Sequence, residues 1–200
     1  KTLLKLDRRI KLIINKKNLG AGLSRNIGIL KAKGKYISFI DADDTWNKNK
    51  LRLQIKFMEN NDYQISHTSY VIANMKNKVL EFRKAKNFIK LKDLLYSCDI
   101  GLSTVMIKKS VFSNKLKFPK LKTKEDFVLW LNLVKSGFKI YSLDRNLVKW
   151  TKTNNSLSSS IFQKLIDSFN VYNNYMQFNF FKSIYFTLAL SINFLKKKYL

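Results

Sequence analysis

The segment Tyr36–Ile40 is a short run of aromatic and β-branched residues, and it ends in three acids within four positions, Asp41, Asp43 and Asp44. A run of that length and type predicts a buried strand. Carboxylates this close at a strand's end repel one another. A hard divalent cation relieves that repulsion, because Mg²⁺ and Mn²⁺ prefer oxygen ligands. A polar turn with an Asp capping the next helix is the alternative reading of the same residues. The chain carries 13 acids against 39 bases, so the cluster stands out from its surroundings.

A length of 200 residues suits one domain with room for an appendage, and 46% hydrophobic residues suffice for a core. The net charge of +26 favours acidic partners: nucleic acid, anionic lipid or phosphorylated small molecules. Lysines are spread along the whole chain. A dedicated nucleic-acid binder concentrates its charge on one element, so no specific nucleic acid is expected. A bias of composition towards Lys, Asn, Ile and Phe explains the dispersal equally well. A single cysteine, Cys98, excludes an internal disulfide and fits a reducing compartment. It reads as a small buried apolar residue. The N-terminus lacks a clean apolar run of the signal-peptide kind. Starting at Lys1 rather than Met, the sequence reads as a fragment, or as beginning partway into a longer protein.

Taken in order, Lys11–Asn15 predicts a short strand. Residues 16–35 hold four of the six glycines. Gly20 and Gly22 allow a ligand to approach the backbone closely. A helix is expected from Ala21, with Leu23, Ile27 and Leu30 on its inner face and Gly34 as its stop. A glycine-rich loop opening a helix can bind anions, and Arg25 adds a fork that fits phosphate. A second helix is expected over Lys48–Glu59, with Leu51, Ile55 and Met58 inward. Tyr63–Ala73 reads as a strand carrying His67, an interior or edge histidine rather than a ligand. Asn74–Lys86 reads as a hairpin or mobile connection, Leu91–Ser97 as a short helix and Ile100–Ile107 as a strand. A basic loop around Pro119 leads to the helix Glu125–Ser136, whose first-turn acids suit the helix dipole and whose stop is Gly137. Phe138–Ser142 and Asn146–Trp150 read as strands, and Thr151–Ser160 as a polar loop. This alternation implies an α/β domain with a largely parallel sheet. In such sheets ligands collect at the carboxyl ends of the strands, which is where Asp41–Asp44 fall.

Residues 161–200 differ from the rest. They are aromatic-rich and helical in pattern, and their apolar run is broken by Lys182 and by Ser, Thr and Asn. A spanning helix needs about 20 apolar residues. The segment is therefore expected to lie on a membrane surface as an amphipathic helix, or to pack on the domain as a helical pair.

Four stretches together resemble glycosyltransferase family 2, the inverting, nucleotide-sugar-dependent enzymes of GT-A fold. They are NLGAGLSRNIGILKAKGKYISFIDADDTWNKNKL, IGLSTVMI, EDFVLWLNLVKSG and NNSLSS, in that order over about Asn18–Ser159. The resemblance implies a Rossmann-like, mixed, largely parallel sheet flanked by helices over 1–160, with 161–200 as a helical extension. It implies transfer of a sugar from a nucleotide-diphosphate sugar to a hydroxyl of a cell-surface polysaccharide or lipid-linked oligosaccharide precursor, with Mg²⁺ or Mn²⁺. Asp41 and Asp43 match the DxD pair that meets ribose and metal, and Asp44 shares that task. Asp126 matches the general base, with Glu125 as its neighbour. Arg25, Asn26, Gly20 and Gly22 match the nucleotide side, while Trp130, Ser103 and Thr104 fall on the acceptor side. Such an enzyme is expected in the cytoplasm, peripheral on the inner face of an anionic plasma membrane.

Two departures accompany the resemblance. The family's first two strands, which hold base and ribose, have no counterpart; the chain starts just after them. After Val148 relatives carry Tyr-Arg, where this chain has Trp150 and Thr151. Lys149 or Lys152 then stands in as the cation near the diphosphate, without the bidentate fork. The alternative reading is a truncated, non-catalytic member that binds polyanions or nucleotide through its charge. A nucleic-acid binder would need a reading helix or an aromatic stacking platform, and the sequence shows neither.

Overall fold

A computed structural model describes residues 7–153 and 161–199. Its centre is the helix Glu125–Lys135, in which eight of eleven residues are buried. A helix apolar nearly all round can only sit inside. In chain order the elements are α1 (Ala21–Lys31), β1 (Tyr36–Ser38), β2 (Thr45–Trp46), α2 (Lys50–Asn60), β3 (Ile65–Asn74), β4 (Val79–Arg83), α3 (Leu91–Leu95), β5 (Met106–Lys108), α4 (Glu125–Lys135), β6 (Tyr141–Lys152), α5 (Ile161–Asn170) and α6 (Phe180–Tyr199).

The strands form one mixed sheet in the order β1-β5-β3-β6-β2, with β4 also on β3. Among the described strands only β3 and β6 pair in parallel; the other pairings are antiparallel. The expected mixed α/β sheet is present, but it is not largely parallel by pairing. The reason is β5, which runs against both β1 and β3 and separates them. β1, β3 and β6 still point the same way, so their carboxyl ends share one edge. Asp41–Asp44 leave β1 at that edge.

Several expected boundaries move. Lys11–Asn15 has no regular structure and exposes Leu12, Ile13 and Ile14; no described strand pairs with it, and an unpaired strand is not stable alone. Asn74–Lys86 is the hairpin turn and strand β4. Ile100–Ile107 begins as a 3₁₀ turn, Leu102–Thr104, before β5. The two strands expected over Phe138–Trp150 are one strand with an irregularity, since Thr68 pairs Leu143 while Ser69 pairs Asn146. Gly137 does close α4, with φ of +91°.

Both N-terminal helices turn a different face inward from the one their apolar spacing predicts. In α1 the buried residues are Gly22 and Ile29, while Leu30 is 79% exposed. In α2 Met58 is buried as expected, but Lys50 and Gln54 are buried with it while Leu51 is exposed. Cys98, expected to be buried, is exposed. His67 is buried as expected, and its Nε2 donates to the Lys86 carbonyl at 2.8 Å. Burial pulls its pKa down to about 4, so the ring is neutral at physiological pH.

The C-terminal helices pack on the domain and share its core through Val171, Tyr172, Met176, Phe186 and Leu190. Tyr172 spans the join, its hydroxyl donating to the Leu95 carbonyl at 2.6 Å. The outer face of α6 leaves Phe181, Ile184, Tyr185, Leu188, Ile192 and Leu195 exposed, one stripe at helical spacing. No described helix is long and apolar enough to cross a membrane. The expected Ser-rich motif NNSLSS, and most of the loop around it, lies outside the described residues.

Candidate active site

Arg25 is the hinge-pin of the sheet edge. Gly20 opens α1 in a left-handed conformation, φ of +78°, and Arg25 follows one turn later. Its Nη2 lies 2.7 Å from Asp41 Oδ1 and its Nη1 2.6 Å from Glu125 Oε1. The guanidinium also lies 5.6 Å from the centre of the Phe118 ring. Burial disfavours its charge, but Asp41 and Glu125 outweigh burial and hold its pKa above the ordinary value. One side chain thereby ties the acid loop after β1 to the acid pair opening α4.

The acid loop is fixed from behind by Ser103. Its hydroxyl donates to Asp44 Oδ2 at 2.5 Å and accepts from the Asp41 backbone N–H at 3.1 Å. Trp46 Nε1 donates to the Ser103 carbonyl at 2.7 Å, and the Thr151 N–H reaches Asp44 Oδ1 at 3.1 Å. Asp44 is 7% exposed. Burial, and the negative charges of Asp41 and Asp43, raise its carboxyl to about 6 against the pull of Ser103 and Thr151. Asp41 is half-buried and Asp43 is exposed.

Ser103 and Thr104, expected on the acceptor side, are both buried. Thr104 donates its hydroxyl to the Gly101 carbonyl at 2.6 Å. The 3₁₀ turn points them at the acid loop and the core, so they support the loop rather than present an acceptor surface. Behind them lies a group that sequence patterning missed. Lys50 is fully buried, with Nζ 2.9 Å from Gln54 Oε1 and 4.2 Å from the Trp46 ring centre. Gln54 Nε2 in turn donates to the Ser66 and Thr104 carbonyls. A buried Lys and Gln at i, i+4 was legible only as an interruption of the apolar face.

On the other side of Arg25, Glu125 is buried and Asp126 half-buried. Burial first, then the neighbouring Glu125, raise the Asp126 carboxyl to about 6, against the Phe127 N–H, Arg25 and Lys124. Gly22 makes this packing possible: a Cβ there would lie 3.0 Å from both Glu125 Cγ and the Pro119 carbonyl oxygen. Its close approach is to protein, not to a ligand as expected. Asn26 is likewise engaged, donating to the Phe118 carbonyl at 2.8 Å and accepting from the Phe118 N–H at 3.0 Å. It staples the basic loop to α1 through one amide N–H and the amide oxygen. Trp130 is fully buried, edge-on to Phe118, and belongs to the core rather than to an acceptor surface. Lys152 ends β6 beside Thr151, on the acid-loop side, and is exposed.

Among the described residues no three His, Cys, Asp or Glu side chains form a group that could hold a metal ion. Asp44 is committed to Ser103 and Thr151. Mg²⁺ needs less than a full protein cage, since one or two carboxylates plus substrate phosphates and water complete its shell. Asp43 and Asp41 fit that requirement, and their charge, felt at Asp44, gives a cation a reason to bind there.

The glycosyl transferase family 2 model matches residues 1–116. The chain belongs to glycosyl transferase family 2. It is 31% identical to the putative teichuronic acid biosynthesis glycosyltransferase TuaG of Bacillus subtilis, over 97% of this chain and 77% of that one. It is 33% identical to WfgD of Escherichia coli, a UDP-Glc:alpha-D-GlcNAc-diphosphoundecaprenol beta-1,3-glucosyltransferase, over 96% and 74% of the two chains. The fold matches S. aureus TarS, solved in complex with UDP-GlcNAc, with a TM-score of 0.65 at 18% identity. That match covers 88% of this chain and about half, 53%, of the TarS chain. This family 2 glycosyltransferase therefore has the GT-A fold.

Proposed function

We propose that this glycosyltransferase transfers a sugar, with inversion, from a nucleotide-diphosphate sugar to a hydroxyl of a polysaccharide or lipid-linked oligosaccharide precursor. The observation that supports this best is the Arg25 bridge, which gathers Asp41 and the Glu125–Asp126 pair at one sheet edge. The names of WfgD and of the TarS complex favour a uridine-diphosphate donor. Asp126 is the base. A carboxyl near 6 is ionised at neutral pH yet still basic enough to take a proton. It accepts the proton of the acceptor hydroxyl as that oxygen bonds to the anomeric carbon. The bond from that carbon to the diphosphate oxygen breaks on the opposite face. Asp43 and Asp41 would hold Mg²⁺ or Mn²⁺, which would supply charge neutralisation to the departing diphosphate. Arg25 holds the two acid groups at a fixed separation, and Lys152 faces the diphosphate.

Uridine-diphosphate-sugar binding with and without Mn²⁺ tests the donor role. Asp43→Ala is expected to abolish the metal-dependent part. Asp126→Asn is expected to keep donor binding and lower turnover by roughly 10²–10⁴, the usual worth of a general base. Turnover within a few-fold of wild type would assign the base elsewhere.

Residues 1–160 form the transferase unit in this reading, and 161–200 attach it to an anionic membrane. The exposed stripe of α6 lodges at the acyl boundary, and Lys182 and Lys196 meet headgroups at about 1 kcal/mol each. Flotation with anionic vesicles at low and high salt tests this; flotation unchanged after Leu188→Glu and Ile192→Glu would remove α6 from the contact.

A further inference from the structure

Among the described residues β4 pairs with β3 alone. Its second edge therefore presents backbone N–H and C=O groups to any further strand. β1 and β2, at the two ends of the sheet, offer edges of only three and two residues. β4 has five residues, none of them proline. Its register gives its two faces. Phe82 stands opposite Val71, while Glu81 and Arg83 stand opposite Ile72 and Tyr70 on the other face. The ladder slips at Leu80, because Ile72 pairs Glu81 and Ala73 pairs Val79. Val79, Leu80 and Phe82 are all exposed.

The strand's own sequence says what fits this edge. When two identical strands pair antiparallel in one continuous sheet, the two-fold passes through a single residue, which faces itself. Residues opposite each other share a face, and like charges there are destabilising. A two-fold through Glu81 or Arg83 sets like charges face to face. One through Leu80 falls on the irregular residue of the ladder. A two-fold through Phe82 sets Glu81 opposite Arg83 of the second copy, twice over. The two Phe82 rings then meet across the axis, a favoured cross-strand pair. Leu80 falls opposite Lys84, whose aliphatic stem covers apolar surface while its amine stays in water. Within one copy Arg83 Nε already lies 2.7 Å from Glu81 Oε1. A guanidinium has five N–H donors, so a second carboxylate still finds partners. Four charges then alternate in a ring around the axis. Each copy carries a net charge of +26, which opposes association everywhere that opposite charges do not meet.

We propose that a second copy of this chain docks on β4, antiparallel, with the two-fold at Phe82, so that one sheet runs through both copies. The strands of the second copy run the other way, and the two acid loops lie at opposite ends of the joined sheet. A single row of paired residues, Phe82–Val71–Lys149–Thr45, links the axis to β2, the strand that leaves the acid loop. A joint this short makes a weak, concentration-dependent pair.

Sedimentation velocity at physiological salt, over a concentration series into the high micromolar range, tests the joint. The wild type is expected to pass from monomer to dimer. Glu81→Arg and Arg83→Glu, each alone, are expected to weaken that step at least ten-fold, because like charges then face each other across the axis. Mixed in equal amounts, the two variants are expected to dimerise again, since one offers only cations at these positions and the other only carboxylates. Mixing does not mend a damaged fold, so recovery separates the contact from a structural effect. Phe82→Glu, which leaves the bridge within the chain intact, is expected to be monomeric. A wild type monomeric throughout, a dimer untouched by the charge reversals, or a mixture that does not pair overturns the proposal. A monomeric wild type whose binding to anionic vesicles is lost in Phe82→Glu gives this edge to a membrane and overturns it as well.

Discussion

Arg25 and Glu125 are 100 residues apart in the chain and 2.6 Å apart in space. The pair is the contact through which two acid clusters, distant in sequence, become one site. Arg25→Ala leaves Glu125 buried with no partner and Asp41 with no anchor. Breaking a buried pair costs about 3–5 kcal/mol. Asp41, whose side chain is 39% exposed, is compensated by water, so the low end applies. About 3 kcal/mol corresponds to a fall in Tm of roughly 6–12 °C for a chain of this size. Arg25→Ala combined with Glu125→Gln should lose less than the sum of the two single variants. Additivity in that cycle would mean the bridge carries no coupling.

Gly22 and Gly28 sit on the same helix and should respond oppositely to alanine. A helix-interior Gly→Ala gains about 1 kcal/mol of propensity. At Gly28 nothing lies within 4 Å of the added Cβ, so Gly28→Ala should stabilise. At Gly22 the Cβ meets the Pro119 backbone oxygen and Glu125 Cγ, both at 3.0 Å. Overpacking of this kind costs about 1–3 kcal/mol, which outweighs the propensity gain. Gly22→Ala should melt lower and turn over more slowly, because Glu125 is what must move. Thermal melts of the two variants side by side decide it; similar shifts at both positions would refute the packing role.

Asp126 gives a pH prediction with opposite signs for stability and activity. Its carboxyl is raised from 3.8 to about 6. The folded state therefore holds a proton that the unfolded state releases earlier. The stability this contributes is present below pH 4 and is lost as pH rises through 6. Asp126→Asn, which never ionises, should melt higher than wild type at pH 8, by at most about 3 kcal/mol. The difference should vanish near pH 4. Turnover of the wild type should fall with acid below about pH 6, as the base is protonated. Since Glu125 raises that pKa, Glu125→Gln should move the acid limb to lower pH. A limb that stays put would show that Glu125 does not sense the base.

How much of this was legible in the sequence follows from what each residue packs against. The acid loop stood out because charge at the end of an apolar run is itself a signal, whereas the α4 pair suited the helix dipole equally well and was singled out through the family resemblance. The inward faces of α1 and α2 were not legible. Apolar spacing chose Leu23, Ile27 and Leu30, whereas α1 packs through Gly22, Ile29 and the Asn26 staple to Phe118. In α2 it chose Leu51, Ile55 and Met58, of which only Met58 is buried, together with Lys50 and Gln54. Polar groups face inward there because the backbone of the 3₁₀ turn at Leu102–Thr104 offers them bonds, and local periodicity carries no record of a partner fifty residues away. For the same reason Trp130, Ser103 and Thr104 were assigned to an acceptor surface that their burial denies them.

Lys50 carries the last prediction. It is fully buried, and its Nζ has an amide oxygen and an indole face for neighbours. Burial lowers its pKa from 10.5 to about 7. Between those values the unfolded chain binds a proton that the folded chain does not, so this group adds stability as pH rises from about 7 towards 10. At pH 7 and below, Lys50 weighs against the fold. Lys50→Met, close in volume and without an amine to desolvate, should melt higher than wild type at pH 7, and the margin should shrink by pH 9.5. A margin independent of pH would show that the amine is not desolvated. Activity should move the other way. Lys50 and Gln54 brace Trp46 and Thr104, and Trp46 holds the Ser103 carbonyl behind Asp44. A methionine keeps the volume but drops the bond to Gln54, so the acid loop loses a support while the fold gains. A variant that is both more stable and equally active would mean that the loop holds its place without this lysine.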